Sequence, residues 1–143
     1  MIQEPVALIR QAARGNLEAM RSLRDVGLSL AASSEDESDR LFALYEASIF
    51  GRMAAELGEL ADRANLMAVL AAQTDILRGS DCEQERERAD EFEAEAMALA
   101  ELVVEQGGEG SEEAAQMIVA NAEAISAEVM ARAKHYRKVW GAE

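Results

Sequence analysis

The amino-acid sequence predicts an all-α protein, built from helices that fold back on one another. Apolar residues recur three or four positions apart along almost the whole chain, which is the spacing of one helix face. Alanine, the strongest helix former, occurs 29 times and proline once. Short polar or glycine-rich segments interrupt this pattern at a few places only. At 143 residues the chain can bury a core of its own, and we predict one domain over 1–143.

The N-terminal part is predicted to form two helices that separate at Gly15-Asn16. The first begins at Glu4-Pro5, because a proline in the first turn of a helix loses no hydrogen bond. Glycine followed by the cap-forming asparagine favours a break, although one helix of about 29 residues would tolerate the glycine. The polar segment 33–38 is predicted to be a loop, with Ser38 as the cap of the following helix.

The next apolar stripe is too long for one straight helix. It starts with Phe42 and Ile49, and an unbroken helix along it would measure about 60 Å. We therefore expect a break or kink, either at Phe50-Gly51 or within 62–65. Residues 64–78 carry apolar side chains on further sides and are predicted to be the most buried element.

Two turns divide the C-terminal half of the chain. Gly79-Ser80-Asp81 precedes a predicted helix of about 25 residues, and the glycines within 107–110 predict a flexible turn. Ser111 then caps a last helix, whose apolar stripe continues without a break to Val139. Turns this short require consecutive helices to pack antiparallel, as in helical hairpins.

Residues 12–23 read Ala-Ala-Arg-Gly-Asn-Leu-Glu-Ala-Met-Arg-Ser-Leu, with small residues around a turn glycine. This segment resembles the helix-turn-helix core of Sel1-like and tetratricopeptide repeats, and residues 48–59 resemble it less closely. A shift of 36 positions aligns Gly15 with Gly51, and helix-hairpin repeats have periods of this length. The resemblance implies a right-handed stack of hairpins whose concave face binds a peptide or protein, and it implies no catalytic residue. The alternative fold is a four- or five-helix up-down bundle.

The charge of the chain is strongly acidic and unevenly distributed. The net charge is −14, with 15 acidic and 2 basic residues in 81–131 but four basic residues and one acidic residue in 132–143. An acidic surface of this strength repels phosphate groups, so we expect no direct nucleic-acid binding. A basic protein is the partner that such a surface suits.

Several function classes lack their sequence signals. The longest apolar run, 66–72, is far shorter than the ~20 residues that span a bilayer, so no membrane association is expected. An acidic N-terminus without an apolar leader, together with a single cysteine, favours a cytoplasmic location. One cysteine and one histidine provide no familiar metal site, and motifs for nucleophilic catalysis or phosphate binding are missing. We therefore expect no metal, no cofactor and no enzymatic activity.

Two segments are candidates for binding a partner. Glu83, Glu87 and Glu91 lie four residues apart, on one face of their predicted helix. They form either a solvated face or a site for a basic partner. The second segment is the basic stretch near the C-terminus, which contains residue types that dominate interface hot spots: Tyr136, Arg137 and Trp140. Its cations have two other interpretations, since they can stabilise the end of a helix or pair with the protein's own acidic face.

These observations predict a protein–protein interaction module or small adaptor that binds a partner peptide or helix. One alternative is an acidic inhibitor that mimics a nucleic-acid backbone and blocks a basic protein. The other is a structural helical subunit that assembles with copies of itself as a homo-oligomer.

Overall fold

The protein is described here by a computed structural model, which covers residues 5–108, 110–121 and 126–141. These residues form α-helices and no strand, which confirms the predicted all-α fold. The helices are α1 (Pro5–Ala13), α2 (Leu17–Ser33), α3 (Glu37–Leu57), α4 (Leu60–Arg78), α5 (Glu83–Gln106), α6 (Ser111–Asn121) and α7 (Ala127–Gly141).

Consecutive helices from α1 to α6 pack against each other, and the pairs α2–α3 and α4–α5 form antiparallel hairpins. Gly27 of α2 lies against Ala47 of α3, and Arg24 lies against Gly51, so residue numbers fall along one helix as they rise along the other. The same holds for α4 and α5, since Leu60 contacts Gly108 near one end and Arg78 pairs with Asp90 near the other. Within the described residues, neither α1 nor α2 packs extensively on α6 or α7. Helices α1 to α6 therefore stack in chain order, α7 packs on α5, and the described helices do not close into a ring.

Side-chain contacts between alternate helices arrange the hairpins in two layers. In one layer, Arg21 and Arg24 of α2 bind Asp62 of α4. In the other layer, the Tyr45 ring of α3 lies 6.1 Å from the Phe92 ring of α5, measured between ring centres. Each helix thus contacts its hairpin partner and a helix of the neighbouring hairpin.

The predicted break after α1 is confirmed. Gly15 has a φ of +93°, a backbone conformation that favours glycine. The Asn16 side chain accepts a hydrogen bond from the backbone N–H of Ala19 at 3.1 Å, and this caps the first turn of α2. Local turn chemistry alone determines this boundary, which is why the sequence predicts it.

The break between α3 and α4 lies at Gly58-Glu59, so both predicted positions, Phe50-Gly51 and 62–65, are wrong. Gly51 is buried inside α3 and leaves the helix uninterrupted. The break depends on Asp62, whose carboxylate folds back to accept a hydrogen bond from the backbone N–H of Glu59 at 2.9 Å. A Cβ atom at Gly58 would overlap this carboxylate. Asp36, two residues before the predicted Ser38, likewise caps α3.

Asp62 also joins α4 to α2 through a buried ionic cluster. Arg24 donates from Nη1 to Asp62 Oδ1 at 2.9 Å, and both side chains are buried. Arg21 donates from Nε to Oδ1 at 3.0 Å and from Nη2 to Oδ2 at 2.7 Å. Burial raises the pKa of Asp62, but the hydrogen bonds from Arg21, the Glu59 N–H and Arg24 outweigh it, and the net pKa lies below 3.8.

Helix α5 occupies the centre of the fold. It packs on α4, α6 and α7, and every residue over 93–100 is buried. This buried run is more continuous than any in 64–78, the segment predicted to be the most buried. Several helices can approach α5 closely because many of its buried side chains are small. These are Ala94, Ala96, Ala98 and Ala100.

The predicted last helix is two helices in the structure. Helix α6 ends at Asn121 and α7 begins at Ala127. Two positions of the predicted stripe, Ala122 and Ile125, lie outside the described residues. The continuous apolar spacing predicts one helix over this segment. The structure has two helices, and the second, α7, packs along α5.

Replacing Gln73 by methionine is expected to raise the free energy of unfolding by about 1 kcal/mol. Gln73 is 0 % exposed, and neither polar atom of its amide has a hydrogen-bond partner among the described residues. Methionine of similar length removes two polar atoms that lose water on folding. Urea unfolding followed by circular dichroism measures the change, with the exposed Gln84→Met as the matched control. A loss of stability in Gln73→Met alone would show that the amide has a partner such as a buried water.

Candidate interaction surfaces

Glu91 of α5 binds two side chains of α7. Arg132 donates from Nη1 to Glu91 Oε1 at 2.6 Å, and the Tyr136 hydroxyl donates to Oε2 at 2.5 Å. Burial raises the pKa of the Tyr136 phenol, and the hydrogen bond to Glu91 raises it further. The phenol therefore remains a neutral donor to this carboxylate at physiological pH.

Glu95, one turn further along α5, joins three helices. Trp140 of α7 is only 5 % exposed, and its Nε1–H donates to Glu95 Oε2 at 2.8 Å. Arg52 of α3 pairs with the same carboxylate. The guanidinium of Arg63 lies 5.4 Å from the centre of the Trp140 ring, in a cation–π contact. Trp140 is thus the apolar anchor of α7.

Arg137 binds the C-terminal part of α5. Its Nη1 donates to Glu101 at 2.7 Å and its Nη2 to Glu105 at 2.7 Å. Together with Glu91 and Glu95, these residues form a row of four carboxylates that holds one face of α7. Arg132 pairs with Glu91 and the later Arg137 pairs with the later Glu105, so α7 runs parallel to α5.

The structure therefore places the C-terminal candidates in an internal interface. Trp140 is buried, and Tyr136 and Arg137 are half-buried with carboxylate partners on α5. Pairing with the protein's own acidic face was one of the interpretations that the sequence left open, and the structure shows this pairing for all three side chains. A partner can reach the exposed edges of Tyr136 and Arg137 while α7 is seated.

The acidic candidates on α5 are in two different environments. Glu91 is half-buried and bound by α7, whereas Glu83 and Glu87 are exposed and form no salt bridge with a described residue. Both exposed glutamates line a shallow hollow of about 270 Å³ beside Arg132. Glu83 also lies in the first turn of α5, where the helix dipole stabilises negative charge.

Sequence reasoning missed a surface on α3. It placed Phe42 and Ile49 in a stripe with the spacing of a core face, but Phe42 is 66 % exposed and Ile49 is 57 % exposed. The buried face of α3 contains Leu44 but consists mainly of small residues, among them Ala43, Ala47 and Ala54, which let α2 and α4 pack closely. Phe42 and Ile49 consequently lie on the outer face. In the sequence, the number of alanines in α3 is the only indication that the alanine side is the buried one.

Acidic residues accompany this outer face of α3. Phe42, Ile49 and Glu56 lie seven residues apart and so share one side of the helix. Glu46 follows Phe42 by about one turn. Neither Glu46 nor Glu56 forms a salt bridge with a residue that the structure describes. We call these four residues the α3 face.

The described parts of the chain contain no helix with both the length and the apolar character needed to cross a membrane. They also contain no group of three or more histidine, cysteine, aspartate or glutamate residues placed to hold a metal ion.

No protein family, curated protein or solved structure matches this chain. The resemblance of residues 12–23 to Sel1-like and tetratricopeptide repeats thus stays a prediction from the sequence. The functional argument rests on the geometry of the surfaces alone.

Proposed function

We propose that this protein is a protein–protein interaction module that binds a basic amphipathic helix of another protein on the α3 face. The observation that carries the proposal is the exposure of Phe42 and Ile49, two large apolar side chains on one side of one helix. Apolar residues repeated at this spacing are the anchors on which amphipathic helices dock.

The charge of the surface supports a basic partner. Glu46 and Glu56 lie beside the apolar anchors and form no salt bridge with a described residue, although Arg52 is close enough to interact electrostatically with Glu56. The whole chain has a net charge of −14. A helix with lysine or arginine beside its apolar stripe would relieve this repulsion and would be steered towards the surface. A second copy of this acidic chain is a poorer occupant for the same reason.

Replacing Phe42 and Ile49 together by serine is expected to weaken binding of such a helix by about 30-fold or more, since buried aromatic anchors contribute at least 2 kcal/mol. A synthetic helical peptide with leucines on one side and lysines elsewhere serves as the probe, and its glutamate counterpart as the charge control. Fluorescence anisotropy measures both affinities. Because Phe42 is 66 % exposed, the unfolding free energy should change by less than about 1 kcal/mol.

Val119→Ser is the matched control variant, since Val119 is 76 % exposed on α6, away from the α3 face. It should bind the lysine peptide like the unchanged protein. Equal binding by the Phe42/Ile49 variant would contradict the proposal.

The acidic-mimic alternative makes a different prediction for proteins captured from the native host at low and high salt. If the protein mimics a nucleic-acid backbone, high salt should abolish the capture. The capture should also depend on exposed carboxylates such as Glu83 and Glu87. Capture by the α3 face requires Phe42 and Ile49 and survives high salt in part, because apolar contacts are not screened.

A further inference from the structure

Helices α6 and α7 leave a hollow of about 410 Å³ beside α5. Both helices pack on α5, but within the described residues they do not pack extensively on each other. Met97 of α5, Ile118 of α6 and Met130 of α7 line this hollow. Its volume lies within the range of small-molecule binding sites.

The walls of the hollow are mainly aliphatic. Met97 and Ala133 are buried in the cluster that holds α7 on α5, and Ile118 packs against this cluster. Met130 adds a wall that is 57 % exposed. Methionine side chains are flexible and adapt to the shape of an apolar molecule. A molecule that covers Met130 removes apolar surface from water, which favours its binding.

The charges at the hollow favour an anion. Its described lining residues carry two positive charges and one negative charge, on a chain whose net charge is −14. Nη1 of Arg137 binds the carboxylate of Glu101 at 2.7 Å, and Nη2 binds Glu105 outside the hollow. Lys134 is exposed and forms no salt bridge with a described residue. Its ammonium group is therefore available to a bound carboxylate.

We propose that this hollow binds an aliphatic carboxylate, with its chain against Met97, Ile118 and Met130 and its head group at Lys134. The ammonium group donates a charge-assisted hydrogen bond to the carboxylate, and this contact distinguishes an acid from an alcohol or an amine of the same length. The hollow shares no lining residue with the α3 face, so the site is separate from the function proposed above.

Octanoate is the probe for this site, with octanol and octylamine as its uncharged and cationic counterparts. Isothermal titration calorimetry on the full-length protein measures the three dissociation constants. Octanoate should bind with a constant below about 1 mM, as expected for an efficient small ligand. It should bind about tenfold more tightly than octanol, the effect of one hydrogen bond between charged groups. Octylamine should bind more weakly than octanol.

Variants separate the contribution of the charge from that of the apolar walls. Lys134→Met removes the cation and keeps an aliphatic side chain, so it should weaken octanoate about tenfold and leave octanol unchanged. Arg10→Met on α1 removes the same charge away from the hollow and should leave octanoate binding unchanged. Met130→Ser should weaken octanoate and octanol alike, by about fourfold or more. Circular dichroism confirms that the variants remain folded.

Methyl NMR spectra of the methionines locate the bound probe. The signals of Met97 and Met130, each assigned by its replacement with leucine, should shift as octanoate is added. The signal of Met20, which is buried between other helices, should not shift.

Three results would overturn the proposal. The first is no octanoate binding at 1 mM or below, and the second is equal octanoate binding by Lys134→Met and the unchanged protein. The third is a shift of the Met97 and Met130 signals with rising protein concentration alone, because a second copy of the chain would then cover the hollow.

Discussion

Replacement of Asp62 by alanine is expected to lower the free energy of unfolding by about 3–5 kcal/mol, the range found when one partner of a buried ion pair is removed. Arg24 would stay buried with only the exposed Asp25 as a partner, and Arg21 would lose two hydrogen bonds. The start of α4 would also lose the carboxylate that accepts from the Glu59 N–H. Urea unfolding followed by circular dichroism gives the change directly.

Two matched variants separate the charge from the rest of the side chain. Asp62→Asn keeps the size of the side chain and an acceptor oxygen, so it should recover part of the loss. Glu18→Ala removes only an exposed salt bridge to Arg21 and should cost less than about 1 kcal/mol. If Asp62→Ala lowered the free energy of unfolding as little as Glu18→Ala does, the buried cluster would not stabilise the fold.

The Asp62 carboxylate also makes the free energy of unfolding depend on pH in the acidic range. The pKa of Asp62 in the folded protein is below its usual value of 3.8. Its contribution to the free energy of unfolding is therefore fully present above pH 3.8. The contribution is lost as the pH falls through the lower, folded pKa. Asp62→Asn should accordingly lose less stability than the unchanged protein between neutral pH and strong acid.

Replacement of Trp140 by alanine is expected to cost about 3–5 kcal/mol, the usual loss for a buried aromatic side chain. Trp140 packs in the cluster that contains Leu66, Leu70 and Leu99, and its indole N–H satisfies the buried carboxylate of Glu95. Since the indole joins α7 to the core and to Glu95 of α5, the loss should appear first as release of α7 from α5. Hydrogen exchange read by mass spectrometry would show faster exchange in 127–141 than in α2.

Trp140→Phe is the control for this effect. It keeps most of the apolar volume and removes one donor to Glu95, which Arg52 still pairs with, so it should cost about 1.5–3 kcal/mol, the contribution of one hydrogen bond to a charged group. Unchanged exchange of α7 in Trp140→Ala would mean that Tyr136, Arg137 and the apolar contacts of Val129 hold the helix without the indole.

The elements predicted correctly are those that depend on neighbouring residues. Gly15-Asn16 combines a glycine with a capping side chain, and both the break and the start of α2 follow from these two residues. The end of α4 at Arg78 and the 24-residue length of α5 follow in the same way from Gly79 and Gly107. Turn chemistry is local, and its prediction requires no knowledge of the fold.

The elements predicted wrongly depend on contacts distant in sequence. Apolar spacing identifies α3 as amphipathic, but the choice between its alanine side and its Phe42 side is made by how closely α2 and α4 approach. The break at Gly58 similarly depends on Asp62, which Arg21 and Arg24 of α2 hold in place. The opposite charges of α5 and α7 are visible in the sequence, but the pairing of Glu95 with Trp140 depends on the register between the helices.

The stacking of helices in chain order has a consequence for how the chain folds during synthesis. From α2 to α6, each helix packs on the one that precedes it in the chain, so few long loops have to close. Hairpins can therefore add to a growing array as they leave the ribosome, much as in repeat proteins. The docking of α7 along α5 bypasses α6, so this contact waits until both α6 and α7 have been synthesised.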